Sequence, residues 1–368
     1  MNFRFAALAM PIALCGAAPE PDLCARVTAI TPLACAQSAR GIALAVDDAT
    51  AQRLLGDAEA GAERFMSRFG AAPPGLYAVY RPEESLPDGT KVQALRTAGF
   101  TAILPWISPK FRRAQIETSV RAGVTARMPG QPPEAIDAAV KADIAKLTLL
   151  FSDEAQVKLE KTTIPHELGH MWYGRLYWPN ASIDGPSHYG APGPDWLDET
   201  AAILMEDDAS LASRTEQFAM NYRRYRADPA KATPGLRMLV DLPAFFEEKH
   251  PGADRVRELL EKRKQQGAQN SPVIVLGGAE IKSANNLDDR FIGFYLQGTV
   301  ASSYMIERSG DPKIFGRIGA AFGRGETMAQ WLANAEPKGK LPRDLKALQA
   351  DWLSWLDKRF PAEPAKPA

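Results

Sequence analysis

Hydrophobic and polar positions change rhythm near the middle of this 368-residue chain. In the first part, short apolar runs alternate with amphipathic stretches. "GIALAVDD" (Gly41–Asp48) reads as a strand. In the segment that follows, Leu54, Leu55, Ala58, Ala62, Phe65, Met66 and Phe69 recur at helical spacing, and Gly70 is a stop. "GLYAVYRP" (Gly75–Pro82) and "TAILPWIS" (Thr101–Ser108) are β-rich runs, with "TKVQALRTAG" between them as a helix. "QPPEAIDAAVKADIAKLTLLF" predicts another helix, running toward a strand at Leu147–Phe151.

From Ser152 onward the β-runs give way to helical periodicity. Helices are expected at Ser152–Trp178, Pro194–Ala212, Arg214–Arg226, Ala253–Gln266, Asp288–Arg308, Pro312–Phe322 and Arg343–Phe360. The Gly/Pro-rich stretch Pro179–Pro194 interrupts them, and loops of that length are usually functional or disordered. The expected class is α+β: a small mixed α/β subdomain over residues 41–151, then an all-helical subdomain over 152–360.

The ends read differently. One early cation (Arg4), an apolar run from Phe5 to Leu14 and then small residues have the layout of a secretory signal peptide over residues 1–18. Export to the periplasm or the medium follows, with lipid anchoring through Cys15 as the alternative. Residues 19–40 are expected as an arm and 361–368 as a flexible tail. Cys24 and Cys35 are either a disulfide of an oxidising compartment or two free thiols. No later stretch is long and apolar enough to span a bilayer. With 44 basic against 44 acidic residues, the chain has no electrostatic footprint for nucleic acid. Nothing in it sets an oligomeric state.

The candidate chemistry lies in "TTIPHELGHMWYG" (Thr162–Gly174), which holds two of the four histidines. On a helix, residues four apart share a face, so His166 and His170 can offer two nitrogens to one metal. Glu167, rotated from that face, is placed to take a proton from water. This H-E-x-x-H spacing is a zinc-peptidase signature. Pro165 requires either a helix that starts near Thr162 or Thr163, or a kink before the ligands.

A catalytic zinc needs a third protein ligand and an open position. Glu199, in "PDWLDETAAILMEDD", is favoured because a second helix would hold it; His188, in the Gly/Pro loop, is the alternative ligand or a contact for substrate. Asp198 is expected on another face. "NYRRYR" (Asn221–Arg226) reads as a solvated helix face and His250 as a surface residue without companions.

"HELGHMWYG" followed by "WLDETAA" resembles the gluzincin zinc peptidases, in particular the alanyl-aminopeptidase and leukotriene-hydrolase family; the stretch before it is similar to peptidase-MA-like bacterial hydrolases. The resemblance covers about residues 150–360 and implies a thermolysin-like zincin architecture. It implies one zinc ion on His166, His170 and Glu199, with Glu167 as general base. "FYLQGTVASSYMIERSGDPKIFGRI" resembles the family's Y-x-x-G segment, which implies that Tyr295 stabilises the oxyanion; Tyr304, Tyr222 and Tyr225 are alternates. "ALQADWLSWLDKRF" is similar to the family's terminal helix. The implied activity is zinc-dependent hydrolysis of peptides or unfolded protein. Alternatives are an inactive binding or regulatory protein of the same fold and a zinc hydrolase of a non-peptide substrate. The G-x-M-E-N stretch with which the aminopeptidases grip a free amino terminus is absent.

Overall fold

The computed structural model describes residues 22–146, 152–181, 193–252, 289–334 and 339–361. The chain is a mixed α+β protein in which a small four-stranded sheet is followed by many helices. Strands β1 (Ala34–Gln37), β2 (Gly41–Ala45), β3 (Leu76–Tyr80) and β4 (Phe100–Pro105) lie in that order. β1 pairs antiparallel with β2, while β2, β3 and β4 are parallel. Parallel neighbours need crossovers, supplied by α1 (Asp48–Phe69) and α2 (Gly89–Thr97).

Strand residues alternate between two cores. Ile42, Leu44, Ala78, Tyr80 and Ile103 join Val92 and Leu95 of α2 on one face. Ala43, Ala45, Tyr77, Val79, Ala102 and Leu104 face α1 on the other. Both faces are therefore covered, which is why β2 is buried at every position. It ends before Asp47, whose side chain accepts from Thr50 N and caps α1, while Gly70 closes that helix at φ +72°. The stretch expected as an arm also carries structure: β1 lies within it, and a disulfide joins Cys24 to Cys35.

After β4, Ser108 caps α3 (Pro109–Arg127), a helix that periodicity did not predict because Val124 is its one buried side chain. α4 (Pro133–Ala145) follows. The long helix α5 (Asp153–Tyr177) opens on a Ser152 cap and runs through Pro165 as one element. Neither a start at Thr162 nor a start at Thr163 is observed. Pro165 leaves one backbone carbonyl without its helical donor, but its ring lies against α1: a Cβ added at Gly61 would come within 2.8 Å of Pro165 Cβ. Trp172 meets Phe65 and Tyr77 edge-on, at 5.7 and 5.9 Å between ring centroids, contacts worth about 0.5–1.5 kcal/mol each beyond burial. One core thus continues from the sheet through α1 and α5 into the helices beyond.

Those helices begin with α6 (Asp195–Ile203) and α7 (Asp208–Ala227). The expected break near Ala212 falls instead before Asp208, because the Asp207 carboxylate accepts from Ser210 N and starts a new helix. Helices Asp289–Ser309, Ile314–Gly323 and Leu345–Arg359 stand close to their expected bounds. Residues 1–18, the strand expected at Leu147–Phe151, most of the Gly/Pro loop with His188, and the helix expected at Ala253–Gln266 lie outside the described residues. No described helix is long and apolar enough to cross a membrane.

Candidate metal centre

Two helices meet where the ligands were expected. At Gly169 an added Cβ would fall 2.7 Å from Met205 Cγ and 3.0 Å from Ala202 Cα. Only a glycine lets α5 approach the end of α6 this closely, and the next residue on α5 is His170. Across that contact, His166, His170 and Glu199 come together, all buried, with ligand atoms within 4.8 Å of one another. The two Nε2 atoms are 3.3 Å apart. Glu199 Oε1 is 3.4 Å from His166 Nε2, and Oε2 is 3.4 Å from His170 Nε2.

Those distances can be compared with what a metal requires. Zinc–nitrogen and zinc–oxygen bonds of about 2.0–2.1 Å in a tetrahedron give ligand–ligand edges of about 3.3–3.4 Å. The donors already stand at that separation. Among the described residues, Glu199 Oε1 is buried and accepts no hydrogen bond of ordinary geometry, a costly state for a carboxylate oxygen unless a cation meets it. The residues therefore fit a divalent ion: this buried group could hold a metal.

The far side of each imidazole is also occupied. Glu206 Oε1 sits 2.8 Å from His166 Nδ1, and its Oε2 is held by Arg214. Asp198 Oδ2 lies 3.0 Å from His170 Nδ1, so this residue, expected to point elsewhere, backs a ligand. An acidic partner on the outer nitrogen leaves Nε2 as the inward-facing donor and raises its basicity. Three carboxylates against one guanidinium leave two negative charges around neutral imidazoles.

Proton affinities report that excess. Burial alone would lower the His166 pKa, but Glu199 and Glu206 outweigh it and hold it well above its usual value. His170 is raised as well, burial being overcome by the charges of Asp198 and Glu199. Burial would push Glu199 up, yet His170 and His166 hold it far below the carboxylate range. The site demands positive charge, which a divalent cation supplies without protons.

Glu167, next to His166 on α5, is half-buried. Tyr295, on the helix Asp289–Ser309, stacks its ring on His166 with centroids 6.4 Å apart. Its alternates are engaged elsewhere: Tyr304 donates to Asp351 and Tyr222 to Asp357, and Tyr225 stacks on Tyr222. "NYRRYR" docks the terminal helix, with Tyr222 and Arg226 both reaching Asp357.

His250 corrects the sequence reading. It is 3% exposed, not a surface residue, and its Nε2 is 3.2 Å from Tyr295 Oη. Its backbone N–H donates to Asp195 Oδ2 in the first turn of α6. No local spacing announces a residue brought in from so far along the chain. Glu206 and Asp198 did leave a signal, since acids set inside the apolar run "WLDETAAILME" are buried only where charge awaits them.

No protein-family model matches this chain, and neither a curated protein nor a solved structure does. Its chemistry has to be read from its own side chains.

Proposed function

We propose that this protein is an exported, zinc-dependent peptidase of gluzincin type, with thermolysin-like placement of its ligands on two adjoining helices. The observation that carries the reading is the triangle of buried donors, whose 3.3–3.4 Å edges match a tetrahedral zinc. Two imidazoles and one carboxylate are also a donor set zinc favours, leaving a corner open. The Cys24–Cys35 disulfide is consistent with an oxidising compartment.

A zinc ion held there supplies Lewis acidity, which acidifies water and polarises a carbonyl. The remaining work belongs to the chain. Glu167 takes a proton from the attacking water as the new C–O bond forms. It returns that proton to the leaving nitrogen as the C–N bond breaks. Tyr295 donates its hydroxyl to the developing oxyanion, where one such donor is typically worth about 10²–10³ in rate. Peptides or unfolded proteins are the substrates this chemistry serves. Ligands, base and phenol are all retained, which favours turnover over a binding-only role.

The test is metal analysis together with cleavage-site mapping on a peptide mixture. The wild type is expected to hold one zinc and to release defined fragments, while Glu199→Ala loses both metal and cleavage. A wild type that retains no divalent metal and cuts nothing sinks the proposal.

A further inference from the structure

The proposed oxyanion donor has a neighbour whose proton can be located from its contacts. His250 is enclosed by rings: Phe291, Phe294 and Tyr295 stand edge-on with centroids 5.4, 5.3 and 5.7 Å away. Its Nδ1 accepts the Gly252 backbone N–H at 3.1 Å. An added Cβ at Gly252 would fall 3.0 Å from His250 Cε1, so the peptide and the ring are tightly seated on each other.

A backbone N–H can only donate. His250 Nδ1 must then present its lone pair, and a neutral imidazole with a bare Nδ1 carries its proton on Nε2. That Nε2–H faces Tyr295 Oη at 3.2 Å, so the phenol oxygen is the acceptor in this pair. Its own proton must point away from His250, and accepting one hydrogen bond makes the O–H a better donor in the next.

We infer that His250 is a positioning residue: the Gly252 peptide fixes its Nε2–H tautomer, and that N–H turns the Tyr295 hydroxyl proton toward the substrate's oxyanion. The consequence for catalysis rests on the peptidase reading; the tautomer does not. Asp195 ties the same loop to the start of α6, the helix of Glu199, so phenol and metal ligand keep a common frame.

Two measurements test this. With isotope-labelled histidine nitrogens, a long-range nitrogen–proton correlation spectrum of the wild-type protein should show His250 protonated at Nε2 and bare at Nδ1. The opposite tautomer overturns the inference whether or not the protein cleaves peptides. In kinetics, His250→Asn keeps an acceptor near Nδ1 but loses the donor, and should lower kcat about tenfold or more with KM little changed. His250→Gln, whose amide N–H reaches the place of Nε2, should recover most of that loss. Combined with Tyr295→Phe, His250→Asn should cost nothing further. An equal loss on both tyrosine backgrounds, with zinc still bound, rejects action through Tyr295. A wild type without peptidase activity would instead refute the proposed function and leave the spectrum to decide the tautomer.

Discussion

Two buried acidic centres flank one helix, and they are built on opposite terms. In the first half of α5, Glu160 is 1% exposed and fully answered. Arg53 and Arg81 each take one of its oxygens, and Trp106 Nε1 donates to it at 3.0 Å. Against the second half, Glu199 of α6 is equally buried but, among the described residues, keeps one oxygen without a hydrogen-bond donor, beside imidazoles that are themselves backed by acids. Burying a carboxylate costs several kcal/mol unless charge and hydrogen bonds compensate. At Glu160 the protein supplies that compensation from its own arginines, so the cluster fastens α5 to α1 and to the ends of β3 and β4. Around Glu199 it depends on two imidazoles that are themselves candidate metal ligands. Unmet negative charge on a rigid frame marks a site, whereas met charge marks a brace.

Mutation should tell the two centres apart. The largest effect is expected from Glu167→Gln, which should reduce peptide hydrolysis by about 10²–10⁴-fold and leave zinc content unchanged; full activity in that variant removes the general base. Next, Glu160→Ala takes the main partner from buried Arg81 and half-buried Arg53 and should cost about 3–5 kcal/mol in urea unfolding, with zinc affinity in the surviving folded protein unaltered. If zinc binding falls in step, Glu160 belongs to the site after all. A smaller change is expected from Glu206→Gln or Asp198→Asn: each weakens the support behind one imidazole and should lower zinc affinity by about 10–100-fold, read by competition with a chelator.

Much of this was legible in the sequence, for identifiable reasons. The stripe of α1 could be read because Leu54, Ala58, Ala62 and Phe65 fill one core. The H-E-x-x-H ligands could be read because a helix fixes their geometry locally. α3 could not, since it buries almost nothing and so has no stripe. The division between α6 and α7 was misplaced because apolar residues continue through Leu204 and Met205, while the cap that ends the run is polar. His250 was illegible for a different reason: its partners Asp195 and Tyr295 lie on two helices that only tertiary packing brings to its loop.

The smallest effect concerns the brace itself, where one carboxylate is less well served than Glu160. Asp57 lies 3.5 Å from Arg53, which also serves Glu160. Burial pushes the Asp57 carboxyl up, Arg53 pulls it back and the charge of Glu160 adds to the rise, for a value of about 6 against an ordinary 3.8. A folded pKa above the unfolded one means that the native state binds this proton more tightly. The stabilisation is therefore complete below about pH 3.8 and lost as pH climbs through about 6. Asp57→Asn, which cannot ionise, should match the wild type near pH 4 and exceed it at pH 7. Because the group is partly solvated, the gap should be modest, about 1 kcal/mol. Urea midpoints of the chelated proteins across that range measure it without interference from metal loss in acid. A gap that widens toward low pH would reverse the sign of the coupling and show that Asp57, too, is fully compensated. Zinc content and turnover should be unmoved at neutral pH, because the proton here answers to the brace and not to the metal.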